Sequence, residues 1–324
     1  MTSITAQSDP LPSWNNGAPK QAILEFVRVT TDRTSPKYLA PKQRIATFDQ
    51  DGTLWVEHPM YTQLVFALAR VAALAPQHPE WKTTEPFKAV LAGDSAAMAT
   101  FTLQDLEAIV FPTHGGMSVE AFQEIAQDWI ANAKHPRWNR LYTELIYQPM
   151  LEVMRHLRAN GYRTYIVTGG GQAFVRVYGE SVYEVDPEHV IGSADATQFA
   201  YGKDGKPTMT RPPKLLLYND VAGKPQDIYL FLGRPPQAAF GNSTGDQPML
   251  DYTATGHGER LMALVMHDDA RREYAYGPAN ALPDTKVGTF SQALYDGAKA
   301  KGWILISMKN DWNRIFSFER AEAS

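Results

Sequence analysis

The chain contains no cysteine. That absence excludes a disulfide framework, a thiolate zinc site and a cysteine nucleophile. Long apolar runs are also missing. The most apolar stretch of the first third, Val65 to Ala75, is short and is interrupted by Arg70, whereas a membrane-spanning helix needs about 20 apolar residues. There is no basic excess either: Lys plus Arg number 31 against 35 Asp plus Glu, a formal net charge of -4. A chain without a cationic surplus is a poor match for a polyphosphate backbone, so a dedicated nucleic-acid-binding role is excluded. The opening segment MTSITAQSDPLPSWNN has neither a positive n-region nor an apolar h-region, and the first lysine is Lys20. The expectation is a cytoplasmic protein with no signal peptide and no membrane partner.

What is present suits a globular protein. Of 324 residues, 44% are hydrophobic and 20% charged, enough to build a real core. The length suggests about two domains of ~150 residues. The first seventeen residues, polar and carrying Pro10 and Pro12, read as an arm. Ala18 to Thr31 places Ile23, Leu24, Phe26 and Val27 on a helical face, and Ser35 to Pro41 is a proline-punctuated linker. Arg44 to Phe48 is a short apolar run that enters Asp49-Gln50-Asp51-Gly52-Thr53, a strand leading into a loop.

From Trp55 to about Tyr147 the period becomes helical. Leu64, Leu68, Val71 and Ala75 share a face, as do Phe122, Ile125, Ala126 and Trp129. FPTHGG reads as a break between helices. Beyond it, Met150 to Leu157 is an amphipathic helix and Arg163 to Val167 a strand. Ala196 to Leu217 is a hairpin turning at Asp204-Gly205. Asp227 to Leu232 reads as helix, and Gln237 to Gly241, Leu261 to Met266 and Trp303 to Met308 as strands. Strands alternating with helices predict an α/β parallel sheet with helices on both faces.

Three loops and one lysine carry chemistry. Asp49 and Asp51, two apart in extended chain, point the same way at the carboxyl end of a strand, where open α/β sheets bind ligands. Adjacent carboxylates repel unless a cation neutralises them, so the pair suits a hard divalent ion such as Mg2+ together with a nucleophile and an acid/base. Thr168, followed by Gly169, Gly170 and Gly171, offers a hydroxyl and backbone N–H groups to a phosphate, with the glycines opening a helix. A dinucleotide fingerprint fails there, because Phe174 stands where the third glycine belongs. Asn242-Ser243-Thr244-Gly245-Asp246 again follows a strand and holds hard oxygen ligands. Lys224 opens the helix before that strand.

In this order, DxDGT at Asp49–Thr53, Thr168, Lys224 and the Asn242–Asp246 loop resemble the haloacid-dehalogenase-like (HAD) hydrolase superfamily, and within it the phosphoserine-phosphatase-like acid phosphatases. The likeness covers residues 44–54 and about 149–267. It implies a Rossmann-like three-layer core, residues 1–54 and 149–324, with a helical cap, residues 55–148, inserted between the first two motifs. It further implies a Mg2+-dependent phosphatase acting on a small phosphorylated metabolite. Asp49 is then the nucleophile, forming an aspartyl-phosphate, and Asp51 the acid/base. Thr168, Gly169 and Lys224 hold the phosphoryl oxygens. Mg2+ is held by Asp49, the backbone carbonyl of Asp51, and Asp246 with Asn242. A phosphotransferase or mutase shares that intermediate, and a non-catalytic phosphate-binding protein shares the fold. One departure stands out: many relatives have Asp where this chain has Asn242, which leaves Asp246 as the charged ligand of that loop.

In the region of the implied cap, Trp55 and Glu57 are expected to face the leaving group, Glu57 as a contact for a cationic substrate group. Trp81, Trp129 and Trp138 are expected in the cap's core, and His114 in a loop. His267-Asp268-Asp269 resembles a metal cluster, but adjacent side chains diverge, and an aspartate there reads better as a helix cap.

Overall fold

A computed structural model of the protein describes residues 9–319. Residues 1–8 of the predicted arm, and 320–324 at the other end of the predicted core, lie outside the described residues. Among the described residues there are ten strands: β1 (Ile45–Phe48), β2 (Met117–Ser118), β3 (Arg163–Gly171), β4 (Val190–Asp195), β5 (Gln198–Tyr201), β6 (Pro207–Arg211), β7 (Leu215–Leu217), β8 (Ala238–Gly241), β9 (Leu261–Met266) and β10 (Ile304–Ser307). Seven form one sheet in the order β10-β9-β8-β1-β3-β4-β7. Its pairs are parallel except for the antiparallel edge pair β4–β7.

The central strands explain why the sheet is covered on both faces. Successive strand side chains point to opposite faces. Ala46, Phe48, Ile166, Ala238, Phe240, Ala263 and Val265 join one core, with Ile23, Phe26 and Val27 of the Ala18–Thr31 helix and Met150, Met154 and Leu157 of the Gln148–Ala159 helix. Ile45, Tyr165, Val167, Ala239 and Leu264 join a second core, with Ile228, Met249, Leu250 and Leu294 from three further helices. A strand buried on both faces has no polar alternation to display, which is why these strands read as apolar runs.

Register positions the site. Phe48 at the end of β1 pairs with Ile166 on one side and Phe240 on the other. The residues that follow, Asp49, Thr168 and Asn242, therefore emerge at one edge of three adjacent strands.

Residues 55–148 are mostly helical, including helices Thr62–Leu74, Phe87–Ala92, Leu103–His114 and Val119–Asn132. Ala67, Val71, Trp81, Phe87 and Ile109 form a separate small core there. Three expectations change in this region and beside it. First, β2 is a strand within the helical stretch, pairing antiparallel with β6 in a three-stranded sheet with β5. Second, the Leu103–His114 helix runs through Pro112 and ends at Gly115. The Thr113 hydroxyl donates to the Ile109 carbonyl and Gly115 N–H to the Phe111 carbonyl, so the last turn holds despite the missing proline N–H. Third, Trp129 and Trp138 pack against the main core instead; Trp81 alone of the three belongs to the helical segment's own core.

The three glycines are extended and lead straight into a short helix, with Gly171 as its N-cap. They continue β3, with Thr168 paired to Gly192 and Gly171 to Ser193 across a register shift. Ser193 Oγ donates to the Gly169 carbonyl at 2.8 Å. The partner strand supplies hydrogen bonds that a helix start would have forgone, and the helix that follows, Gln172–Arg176, is only five residues long.

Candidate active site

A cavity of about 470 Å³ lies between the carboxyl end of the sheet and the helical segment. Asp49, Asp51, Glu57, Lys224 and Asp246 line its floor, and Leu64 and Phe111 are on its wall. Asp49 is fixed to the neighbouring strand, its N–H donating to the Phe240 carbonyl at 2.9 Å.

Lys224, 2% exposed, is the hub of the floor. Its Nζ donates to Asp49 Oδ1 at 2.5 Å, to Asp246 Oδ1 at 2.7 Å and to the Val167 carbonyl at 3.1 Å. Burial opposes its charge, yet Asp246 and Asp49 hold its pKa above that of an ordinary lysine. One ammonium between two buried carboxylates cannot compensate both. Burial first, and the Asp246 charge second, push Asp49 up to about 8. Burial also pushes Asp51 up to about 6, against the hydrogen bond from Trp55.

Both oxygens of Asp246 accept hydrogen bonds. Besides Lys224 on Oδ1, its Oδ2 accepts the N–H groups of Asn242 and Ser243, both at 3.0 Å, and the Ser243 hydroxyl at 3.2 Å. It braces its own loop. The Asn242 side chain turns to both sides: Thr53 Oγ1 lies 3.0 Å from its Oδ1, and its Nδ2 donates to Glu57 Oε1 at 2.7 Å. Gly52, at φ +78°, leaves the space for this contact, since a Cβ there would collide with both the Asn242 amide and the Glu57 carboxylate.

Of the two residues expected at the leaving group, Glu57 lines the cavity and Trp55 does not. Trp55 is 1% exposed; its Nε1 donates to Asp51 Oδ1 at 2.7 Å and its ring stacks on Tyr178 at 5.0 Å. It holds the Asp51 carboxylate from behind. Glu57 is 2% exposed and its Oε1 accepts from Tyr276 as well as Asn242, at 2.7 Å each. Thr168 is fully buried, and its Oγ1 accepts the Gly170 N–H at 3.0 Å. Gly169, Gly170 and Gly171 face the cavity in its place.

His114 is not in a loop. It ends its helix, buried against Phe66 and Phe122, and burial, aided by Arg211, lowers its pKa to about 3. The HDD triplet is dispersed. Asp269 caps a turn rather than a helix, accepting the N–H groups of Arg271 and Arg272, and Asp268 accepts from Ser307 and Lys309.

Several site residues carry no local sequence signal. His267 Nε2 lies 2.8 Å from the Gly52 carbonyl and its Nδ1 3.0 Å from Glu273 Oε2. His267 stacks on Tyr276 at 4.3 Å. Gln63 Oε1, from the helical segment, accepts the Gly171 N–H at 2.6 Å. His267 is conspicuous in HDD, but nothing marks Tyr276 or Gln63 as neighbours of a motif more than a hundred residues away or on a different helix.

The sequence profile described as haloacid dehalogenase-like hydrolase matches residues 46–251. That is more than half of the chain, and the chain belongs to this family. Among solved structures, a conserved protein of unknown function from Anaerococcus prevotii DSM 20548 is 14% identical with a TM-score of 0.52, covering 77% of this chain and 86% of its own. A protein of unknown function from Bordetella pertussis Tohama I is 15% identical with a TM-score of 0.48, covering 82% and 98%. A HAD family hydrolase from Salmonella enterica serovar Typhi is 17% identical with a TM-score of 0.37, covering 68% and 61%. No curated protein matches the chain significantly. No helix among the described residues is long and apolar enough to cross a membrane.

Proposed function

We propose that the protein is a Mg2+-dependent phosphatase of small phosphomonoesters, with residues 55–148 acting as a cap over a core of residues 1–54 and 149–324. One observation carries this reading: Asp49 and Asp51 line the floor of one cavity at the end of the central strand, with a buried ammonium on Asp49. A carboxylate oxygen of Asp49 attacks phosphorus while the bond from phosphorus to the ester oxygen breaks. Asp51 gives its proton to the departing oxygen. Asp51 then takes a proton from the water that attacks the aspartyl-phosphate, which releases inorganic phosphate and restores Asp49. A carboxyl raised to about 6 can carry that proton near neutral pH. Lys224 and the Gly169 N–H hold phosphoryl oxygens, while Thr168 and Gln63 brace the run by accepting the Gly170 and Gly171 N–H groups. Positioning and charge stabilisation of this kind supply most of the catalysis in phosphoryl transfer.

The donor set fits Mg2+. It is all oxygen, and four carboxylates (Asp49, Asp51, Glu57, Asp246) share the floor with one paired ammonium. The Asp51 carbonyl accepts no hydrogen bond among the described residues, and Asp49 Oδ2 has only Thr53 Oγ1 at 3.3 Å. Asp49, the Asp51 carbonyl and the 242–246 loop would hold the ion. When bound, the ion neutralises the repulsion between the carboxylates and the incoming phosphate.

The test is release of p-nitrophenol from p-nitrophenyl phosphate with Mg2+, before and after chelation, and chemical trapping of an acyl-phosphate at Asp49. Silence across a panel of phosphate esters and pyrophosphate would end the proposal. Product analysis with added alcohols separates hydrolysis from transfer to another acceptor.

A further inference from the structure

The 242–246 loop lacks a free negative charge. Position 242 is an amide, and the charge of Asp246 is paired with Lys224 on Oδ1 while Oδ2 accepts two backbone N–H groups and a hydroxyl. We propose that Glu57 supplies the missing carboxylate of the divalent-cation site, an assignment that rests on the Mg2+-dependent reading above.

Four observations converge on Glu57. Its carboxylate is anchored 2.7 Å from Asn242 Nδ2, on the loop that would hold the ion. Both of its hydrogen bonds fall on Oε1; Oε2 has no hydrogen-bond partner among the described residues, and the side chain lines the cavity. The backbone is shaped around it, since a Cβ at either Gly52 or Gly288, both at positive φ, would collide with the carboxylate. Finally, no Lys or Arg among the described residues is paired with Glu57: its two partners are an amide and the Tyr276 hydroxyl. A carboxylate 2% exposed with no cation is costly to keep charged. A divalent ion beside Asp49 and the Asp51 carbonyl removes that cost, with Oε2 reaching it directly or through one of its waters.

The same arrangement explains the amide at 242. With Glu57 already present, an aspartate at 242 would set two carboxylates at hydrogen-bond distance. Asn242 instead donates to Glu57 and orients it, as outer partners of metal ligands do. The segment that locks Glu57 from the other side, Tyr276 and Gly288, lies beyond the stretch matched by the family profile, residues 46–251.

The experiment is Mn2+ binding to the chelator-stripped full-length protein, read by loss of the free-ion paramagnetic resonance signal, with the Mg2+-induced rise in melting temperature as a second readout. Glu57→Gln keeps the shape and an acceptor for Asn242 and Tyr276 and removes only the charge, so the metal-free melting temperature serves as the folding control. The expected result is a Mn2+ affinity weakened by about 10- to 100-fold, the range for disturbed metal surroundings, and loss of the Mg2+-induced thermal shift. Glu57→Gln/Asn242→Asp returns the charge to position 242 and is expected to recover most of the affinity. Binding by Glu57→Gln within twofold of wild type overturns the assignment while leaving the phosphatase reading intact. If that variant also loses turnover only of esters bearing an ammonium group, Glu57 is a substrate contact instead. Wild type that binds no Mn2+ overturns both this assignment and the Mg2+ dependence. The expected binding pattern in a protein without phosphatase activity upholds the assignment and overturns the reaction.

Discussion

The floor of the cavity is charged and bound together: Asp49, Lys224 and Asp246 are buried and linked by hydrogen bonds of 2.5 and 2.7 Å. The facing wall is of another kind. Leu64, Leu106, Val110 and Phe111 are apolar, come from two helices, and belong to a segment whose own core is small. The floor is anchored on the sheet: Asp49 follows β1, whose register is set by two neighbours, and Lys224 and Asp246 are tied to it by hydrogen bonds. The wall is set by helix packing and by a few links to the core, such as Gln63 to Gly171. The contrast separates the reaction from the choice of substrate: a change in the floor should strike every substrate, and a change in the wall only some.

Four substitutions probe that division. Asp49→Asn is expected to lower kcat on the order of 10⁴-fold or more on every ester, as loss of a nucleophile does, with the melting temperature little changed. Wild-type-like turnover would remove Asp49 from the reaction. Next in size is Lys224→Met. It leaves two buried carboxylates facing each other, and denaturant unfolding should record a loss of about 3–5 kcal/mol, the cost of breaking a buried pair. Unchanged stability would mean that the floor is not the cooperative unit its hydrogen bonds suggest.

The wall offers the two smaller effects. His114 has a folded pKa lowered to about 3 by burial, against about 6.5 for the unfolded chain. Between those values the unfolded state binds the extra proton, so stability is complete above pH ~6.5 and declines as pH falls toward 3, by at most about 1.4 kcal/mol per pH unit. His114→Gln should flatten the dependence of unfolding free energy on pH from 4 to 6; an identical slope in both proteins would contradict the buried neutral imidazole. Phe111→Ala, last, should alter KM by about 10-fold for bulky apolar esters and leave kcat for the smallest ester near wild type. A uniform fall in kcat would show that wall and floor are not separable.

Much of the floor was legible beforehand. Asp49 and Asp51 are two apart in extended chain at the end of an apolar run, so their convergence follows from strand geometry. Lys224 and Asp246 were placed by the order of the motifs, and both arrive at Asp49's side. What each would do there was less legible. Asp246 has the residue type of a metal ligand, and it also accepts from Lys224 and braces its own loop. Trp55 and Glu57 look like leaving-group contacts from their distance to the motif; Trp55 instead backs Asp51, while Glu57 lines the cavity but is tied to Asn242 and Tyr276. The glycine run does lead into a helix at Gly171, and the ladder to β4 keeps the run itself extended, which its sequence does not reveal.

Local chemistry therefore names the reacting groups. Side-chain period, turn residues and apolar runs act over a few residues, so they specify the strand, the loop and the pair of carboxylates without any partner. Which acceptor is left free, which carboxylate is neutralised and which tyrosine reaches Glu57 depend on groups brought together from positions 57, 242 and 276. Hydrogen-bond satisfaction and buried charge are sums over everything in contact, and those sums exist only once the chain has closed around them.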